Sequence, residues 1–311
     1  MTILKLDTDT FANDIFGDNI NNFPKKTLQL INKYDFSYKK IDDFEKEKLI
    51  NDIQKKINKD SQKIGSKDRT EVWNKGWNEN LELFKKTLSI DTILPKFIRQ
   101  SNYVRLFGDF VKPYDIKFEQ NFVSVIQSYV FEKYLVNFEN LYEFGCGSGL
   151  NLVPLAKRFP KKNIYGSDFV PSSVDLIKLL AQTYDLNIKS TLFNLIEPDF
   201  NYIIKDSSAI FTFGALEQIA SKFEKFIDFI LYKKPDICIH VEPSIEMYDE
   251  YNQVDKLAID FHRKRGYTEG YIPKLLDLDD KKLVNLIKVK RLNFGSLMFE
   301  GYTLIVWTPK V

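Results

Sequence analysis

Three glycines alternate with other residues in Glu143-Phe144-Gly145-Cys146-Gly147-Ser148-Gly149, directly after a short apolar run and directly before a segment with helical spacing. Few features constrain a chain more. Glycine reaches backbone angles that other residues avoid and carries no Cβ, so this run builds a bend against which another group can lie close. A helix beginning at Leu150 would aim its free N–H groups at the same place. A dinucleotide turn, G-x-G-x-x-G, would need glycine where Leu150 stands, which disfavours a nicotinamide oxidoreductase.

Beyond about residue 120 the chain repeats one kind of unit. Apolar strand-like runs at 141–144, 164–167, 188–193, 209–213 and 237–241 are separated by helical patterns at 150–158, 171–184 and 219–231, with another after Pro243. Continuous apolar strands between amphipathic helices mean a parallel sheet covered on both faces. Two more runs, 287–292 and 302–307, are joined by too few residues for a helical crossover and should pair antiparallel. Residues 1–120 read as a separate, mainly helical region. Leu28, Leu30, Tyr34, Phe36 and Tyr38 alternate like short strands, and 41–57 fits a helix with a lysine-rich outer face. Asp68 and Glu71 resemble a capping box for a helix whose Trp73, Trp77, Leu81 and Phe84 share one face, a stripe read as core packing.

The motif E-x-G-x-G-x-G is matched at every fixed position. Together with the strand–helix units and the closing pair, it makes residues 120–311 resemble the class I S-adenosylmethionine-dependent methyltransferases. The resemblance implies an α/β, Rossmann-like, seven-stranded mixed sheet in the order 3-2-1-4-5-7-6, with S-adenosyl-L-methionine as cofactor. It implies a cofactor turn of Glu143, Gly145, Cys146, Gly147 and Gly149. Asp168 ends the second strand, where a carboxylate can accept from ribose hydroxyls, and Phe169 follows beside the adenine. Asn194 and Leu195 end the third strand, where many members of the family carry aspartate at the Asn194 place. Phe213 and Gly214 end the fourth, on the methionine side. Arg105 could hold the cofactor carboxylate from above.

After the fourth and fifth strands come Glu217-Gln218 and His240-Val241-Glu242-Pro243. His240 reads as a hydrogen-bonded core residue. His262-Arg263-Lys264-Arg265-Gly266-Tyr267 closes a helix, in keeping with basic residues and a C′ glycine at that end. The candidate proton acceptors are His262, Glu217 and Glu242. Gln218, Arg263, Arg265 and Tyr267 are the candidate acceptor-binding residues, the arginines for an anionic group.

Composition narrows the partners. Lysine and arginine total 45 against 43 acids, a balance that argues against a nucleic-acid binder. No apolar stretch approaches the roughly 18 residues of a membrane span. The two cysteines show no metal-ligand spacing, and 277–280 lacks the glycine and distal glutamate of an EF-hand, so no metal is expected. A reduced, cytoplasmic enzyme is expected, acting on the hydroxyl of a small molecule, sugar or glycan, with pairing to a second copy left open. Methylation of an amine and a non-catalytic cofactor-binding module are the alternatives.

Overall fold

The computed structural model describes residues 2–64, 68–95, 98 and 102–310, without the side chains of residues 68 and 69. The capping pair expected of Asp68 therefore lies outside the described residues. In chain order the elements are β1 (Leu4–Lys5), α1 (Lys25–Lys33), β2 (Ser37–Lys40), α2 (Asp43–Lys59) and α3 (Asp68–Thr87). Next come β3 (Val104–Leu106), β4 (Asp109–Pro113), α4 (Phe118–Val130), β5 (Asn140–Phe144) and α5 (Leu152–Arg158). The alternating part continues with β6 (Asn163–Asp168), α6 (Pro171–Tyr184), β7 (Ile188–Leu192), β8 (Ser208–Phe213), α7 (Glu224–Lys233) and β9 (Ile237–Glu242). It closes with α8 (Gln253–Arg265), α9 (Tyr271–Asp280), β10 (Val284–Arg291), β11 (Phe294–Gly295) and β12 (Thr303–Pro309).

Seven strands form one sheet in the order β7-β6-β5-β8-β9-β12-β10. The first five run parallel, and β12 lies antiparallel to both β9 and β10. Numbered within the sheet, this is the expected 3-2-1-4-5-7-6. Every residue of β5 and β9 is buried, because helices cover both faces of the sheet there. The strand neighbours of β5 lie on opposite sides of it and are reached by connections that diverge. A crevice opens at such a point beyond the carboxyl ends of the strands.

The N-terminal region departs from the expectation in two ways. Leu28 and Leu30 lie in α1, whose buried Thr27 and Ile31 follow helical spacing, and of the expected alternation only Tyr38 falls in a strand. A second sheet, β1-β2-β4-β3-β11, is antiparallel throughout and takes its last strand from the link between β10 and β12. The division at residue 120 is thus bridged by main-chain pairing and by one continuous apolar cluster. Phe122 of α4 stacks on Phe294 of β11 with centroids 3.8 Å apart, and Phe36 meets Phe118 edge-on at 5.3 Å. No helix among the described residues is long and apolar enough to cross a membrane.

Candidate functional site

The glycine turn sits at the diverging point, immediately after β5. Gly145, Gly147 and Gly149 have φ of +76°, +51° and +82°, angles that an L side chain makes costly. A Cβ on Gly145 would lie 2.3 Å from the Ala215 Cβ in the turn after β8, so the two turns touch through the missing side chain. The Gly145 and Cys146 N–H groups donate to the Ser167 carbonyl of β6. The following helix begins at Leu152, two residues later than expected, and is too short to serve as an anion-binding terminus.

A cavity of about 270 Å³ opens beside this turn. Its floor comes from Gly145 and Gly147 after β5 and from Gly214 and Ala215 after β8. One wall is Asp168, Phe169, Phe193, Asn194, Leu195 and Ile196; the opposite wall is Gln218, Ile219 and Lys222. Thr70, Trp73 and Trp77 of α3 form the roof. Their i, i+3, i+7 spacing puts all three on one side of the helix. Trp73 and Trp77 stack at 5.4 Å and 24°, and Trp77 lies so close to Gly147 that a Cβ there would be 2.8 Å from its ring. Lower on the same stripe Leu81 and Phe84 enter the core, so one apolar face serves two purposes.

Asp168 is buried, with Oδ2 accepting from the Gly147 N–H at 2.9 Å and Oδ1 from the Val170 N–H at 3.2 Å. Burial pushes its pKa up to about 6 against the pull of those donors, leaving a carboxylate near neutral pH. Asn194 Oδ1 accepts from the Ile196 N–H at 2.9 Å and keeps a second lone pair toward the cavity wall.

Other expected cofactor residues sit beneath the turn. Glu143 accepts from Asn151 Nδ2 at 2.6 Å, and Asn151 accepts in turn from Gln127 at 2.8 Å. The second carboxylate oxygen of Glu143 has no hydrogen-bond partner among the described residues. Burial drives its pKa up to about 8. Cys146 is buried with Sγ 3.9 Å from Ser173 Oγ, Gly149 packs against Ile177, and Phe213 packs on Tyr302 at 5.8 Å. A folded-state pKa above the unfolded value means that stability is greatest at low pH and is lost as pH rises through about 8. Glu143→Gln keeps an acceptor for Asn151 without a charge. It is expected to flatten the loss of urea stability between pH 5 and 8.5 by an amount on the order of a few kcal/mol. An unchanged slope would show that Glu143 titrates like a solvated acid.

Arg105 does not hold a cofactor carboxylate. Its guanidinium is fully buried in the second sheet, donating to the carbonyls of Val254, Leu297 and Met298 at 2.5–3.2 Å. Desolvation lowers its pKa to about 10. His262 is likewise out of reach: 1 % exposed, ringed by Tyr248, Tyr267 and Phe299, with no hydrogen-bond partner on either nitrogen among the described residues. Burial lowers its pKa to about 3, so it stays neutral, and it borders no described part of the cavity. Arg265 pairs with Asp60 after α2 at 2.6 Å, Arg263 reaches Glu250 and Glu269 at the surface, and Tyr267 packs on Phe261. Residue type suggested these roles; burial and pairing assign others.

Glu242 and Glu217 border a separate water-sized space of about 10 Å³ under the turn after β8. Glu242 accepts from the Ala215 N–H at 3.0 Å and the Glu217 N–H at 3.4 Å, and burial raises its pKa to about 7. It therefore holds the cavity floor in place and does not face an acceptor. Gln218, bonded to Glu217 at 2.6 Å, does line the main cavity. His240 bridges Thr212 at 2.9 Å and Tyr271 at 3.0 Å inside the core, the structural role expected for it. Sequence reasoning missed Thr70, Trp73, Trp77, Phe193, Ile196, Ala215, Ile219 and Lys222 as cavity residues; the i, i+3, i+7 spacing was the available signal for the first three.

The strand order, the parallel-to-antiparallel register and the glycine turn at the diverging point define the class I S-adenosylmethionine-dependent methyltransferase fold. No protein-family model and no curated protein matches the sequence. Among solved structures the chain is similar to magnesium protoporphyrin IX methyltransferase (ChlM) from Synechocystis PCC 6803 with bound S-adenosylhomocysteine (11 % identity, 61 % of this chain and 83 % of that one, TM-score 0.45). It is similar also to PigF with S-adenosylhomocysteine (12 %, 85 % and 70 %, 0.48). A third is the [4+2]-cyclase SpnF (11 %, 75 % and 96 %, 0.49).

Proposed function

We propose that the cavity binds S-adenosyl-L-methionine and that the chain transfers its methyl group to an oxygen of a small molecule. The observation that carries this reading is the buried Asp168 carboxylate fronting the cavity, tied to the amide of a positive-φ glycine at the diverging point of the sheet. The residues fit the cofactor. Gly214 leaves open floor, with nothing within 4 Å of where its Cβ would lie, whereas Ala215 and Trp77 pack where side chains of Gly145 and Gly147 would go. Asp168 can accept from two ribose hydroxyls, and Phe169, Phe193, Asn194 and Leu195 offer an apolar slot with one amide for the adenine. When bound, the cofactor supplies a methyl carbon on a positively charged sulfur, open to in-line attack by an electron pair. What the chain adds is placement, holding donor and acceptor at near-attack distance in a cavity shielded by α3.

Calorimetry with S-adenosylhomocysteine tests this. Binding to the wild type is expected, with Asp168→Ala weakening it at least about 100-fold, the loss of a charge-assisted pair of hydrogen bonds, and Gly147→Arg abolishing it. Equal binding by all three proteins, or by none, would sink the assignment. Tight binding without methyl transfer to any acceptor would favour the non-catalytic module.

A further inference from the structure

The cavity divides by chemistry. Its β6–β7 wall carries the groups suited to an adenosyl ligand, whereas the remainder, under α3 and beside the turn after β8, is Trp73, Ile219, Gln218, Thr70 and Lys222. Trp73 gives that half a flat apolar face beside Ile219, and Thr70, Gln218 and Lys222 are its polar groups. Among the described lining residues only Asp168 and Lys222 are titratable, and Asp168 is committed to two backbone amides and to the ribose side. His262, Glu217 and Glu242 all stand outside this space, so among the described lining residues no base is placed to take a proton from an acceptor. Lys222 is exposed at the cavity rim and has no carboxylate partner among the described residues.

Resting on the function proposed above, we infer that the acceptor is a planar aromatic compound that enters already ionised, as a carboxylate or phenolate, lies against Trp73 and turns its charge toward Lys222. Each part answers a property of the site. The stacked indole pair presents a flat apolar surface, which favours a flat ring over a puckered one. With no base among the described lining residues, the site suits a nucleophile that carries its own negative charge. The lysine draws that anion in and disfavours the neutral form.

Three probes separate these elements in calorimetry near neutral pH: 2-naphthoate, which is flat and anionic; 2-naphthol, flat and neutral; and cyclohexanecarboxylate, anionic and puckered. Each is titrated with and without S-adenosylhomocysteine. We expect 2-naphthoate to bind at least tenfold more tightly than the other two, and together with S-adenosylhomocysteine. Trp73→Ala and Lys222→Glu are each expected to weaken it at least tenfold, with Trp73→Phe restoring most of the affinity. Equal affinity for all three probes, indifference to both variants, or mutual exclusion with S-adenosylhomocysteine would overturn the inference. Absence of S-adenosylhomocysteine binding alone would instead strike the cofactor reading, since the probe titrations read the acceptor half separately.

Discussion

Gly145→Ala is expected to destabilise the protein by about 2–5 kcal/mol and to abolish binding in the cavity. Two penalties add. Alanine at φ +76° costs about 1–2 kcal/mol, and forcing a methyl group into a filled contact costs about 1–3. The neighbour cannot swing aside, because the atom 2.3 Å from the new Cβ is the Cβ of Ala215, fixed directly to the backbone of the turn after β8. That turn is itself pinned by Glu242 through the Ala215 and Glu217 amides, so relief has to come from moving the cavity floor. Gly214→Ala is the control. Its φ of +65° carries the same kind of strain with nothing within 4 Å of the added atom, so only the first penalty of about 1–2 kcal/mol applies. Adding Ala215→Gly to Gly145→Ala removes the clash and should recover most of the second penalty. Urea unfolding of these proteins together with Ala215→Gly alone closes the cycle. Equal costs for the two alanines, with no recovery in the double variant, would mean that the turns after β5 and β8 do not meet through Gly145.

Much of this site could be read before any coordinates. The central strands of the main sheet announce themselves because parallel strands buried on both faces are largely apolar, as β8 and β9 are, and the short link between β10 and β12 forces the direction of that pair. The places of Gly145, Gly147, Asp168 and Asn194 follow from strand ends, since a parallel sheet brings all its carboxyl ends to one edge. The second sheet is invisible in the sequence: its strands run two to five residues, too few for a period to show, and β11 is borrowed from 190 residues downstream of β3 (104 to 294). The roof is obscure for another reason. An apolar stripe such as that of α3 looks the same whether it meets a core or a cavity, and here it meets both. Arg105, His262 and Glu242 were misjudged because residue chemistry advertises function while only packing shows whether solvent or ligand can reach it. All three are at most 3 % exposed.

A second large effect is expected outside the lining of the cavity. Arg291→Ala is expected to cost about 3–5 kcal/mol, because it leaves two buried carboxylates without their common partner. Arg291 donates through both terminal nitrogens to Asp255, each at 2.7 Å, and through Nε and one terminal nitrogen to Glu300 at 2.6 and 2.8 Å. Asp255 and Glu300 are 1 % and 3 % exposed, and the guanidinium also lies over the Tyr248 ring at 5.1 Å. Arg105 feels both acids, so two cations balance two anions at the seam joining α8, β10 and the approach to β12. Lysine cannot fork to two carboxylates, and Arg291→Lys should recover only part of the loss. Neutralising the acids as well, in Arg291→Ala with Asp255→Asn and Glu300→Gln, should leave the protein more stable than the single variant, since the unpaired charges are gone. None of these groups is among the described lining residues of the cavity, so each variant that remains folded should bind S-adenosylhomocysteine as the wild type does. A cost below about 1 kcal/mol for Arg291→Ala would mark these groups as solvated, the range of exposed ion pairs. A triple variant weaker than the single one would show instead that hydrogen bonding by the acids, and not their unpaired charge, holds the seam.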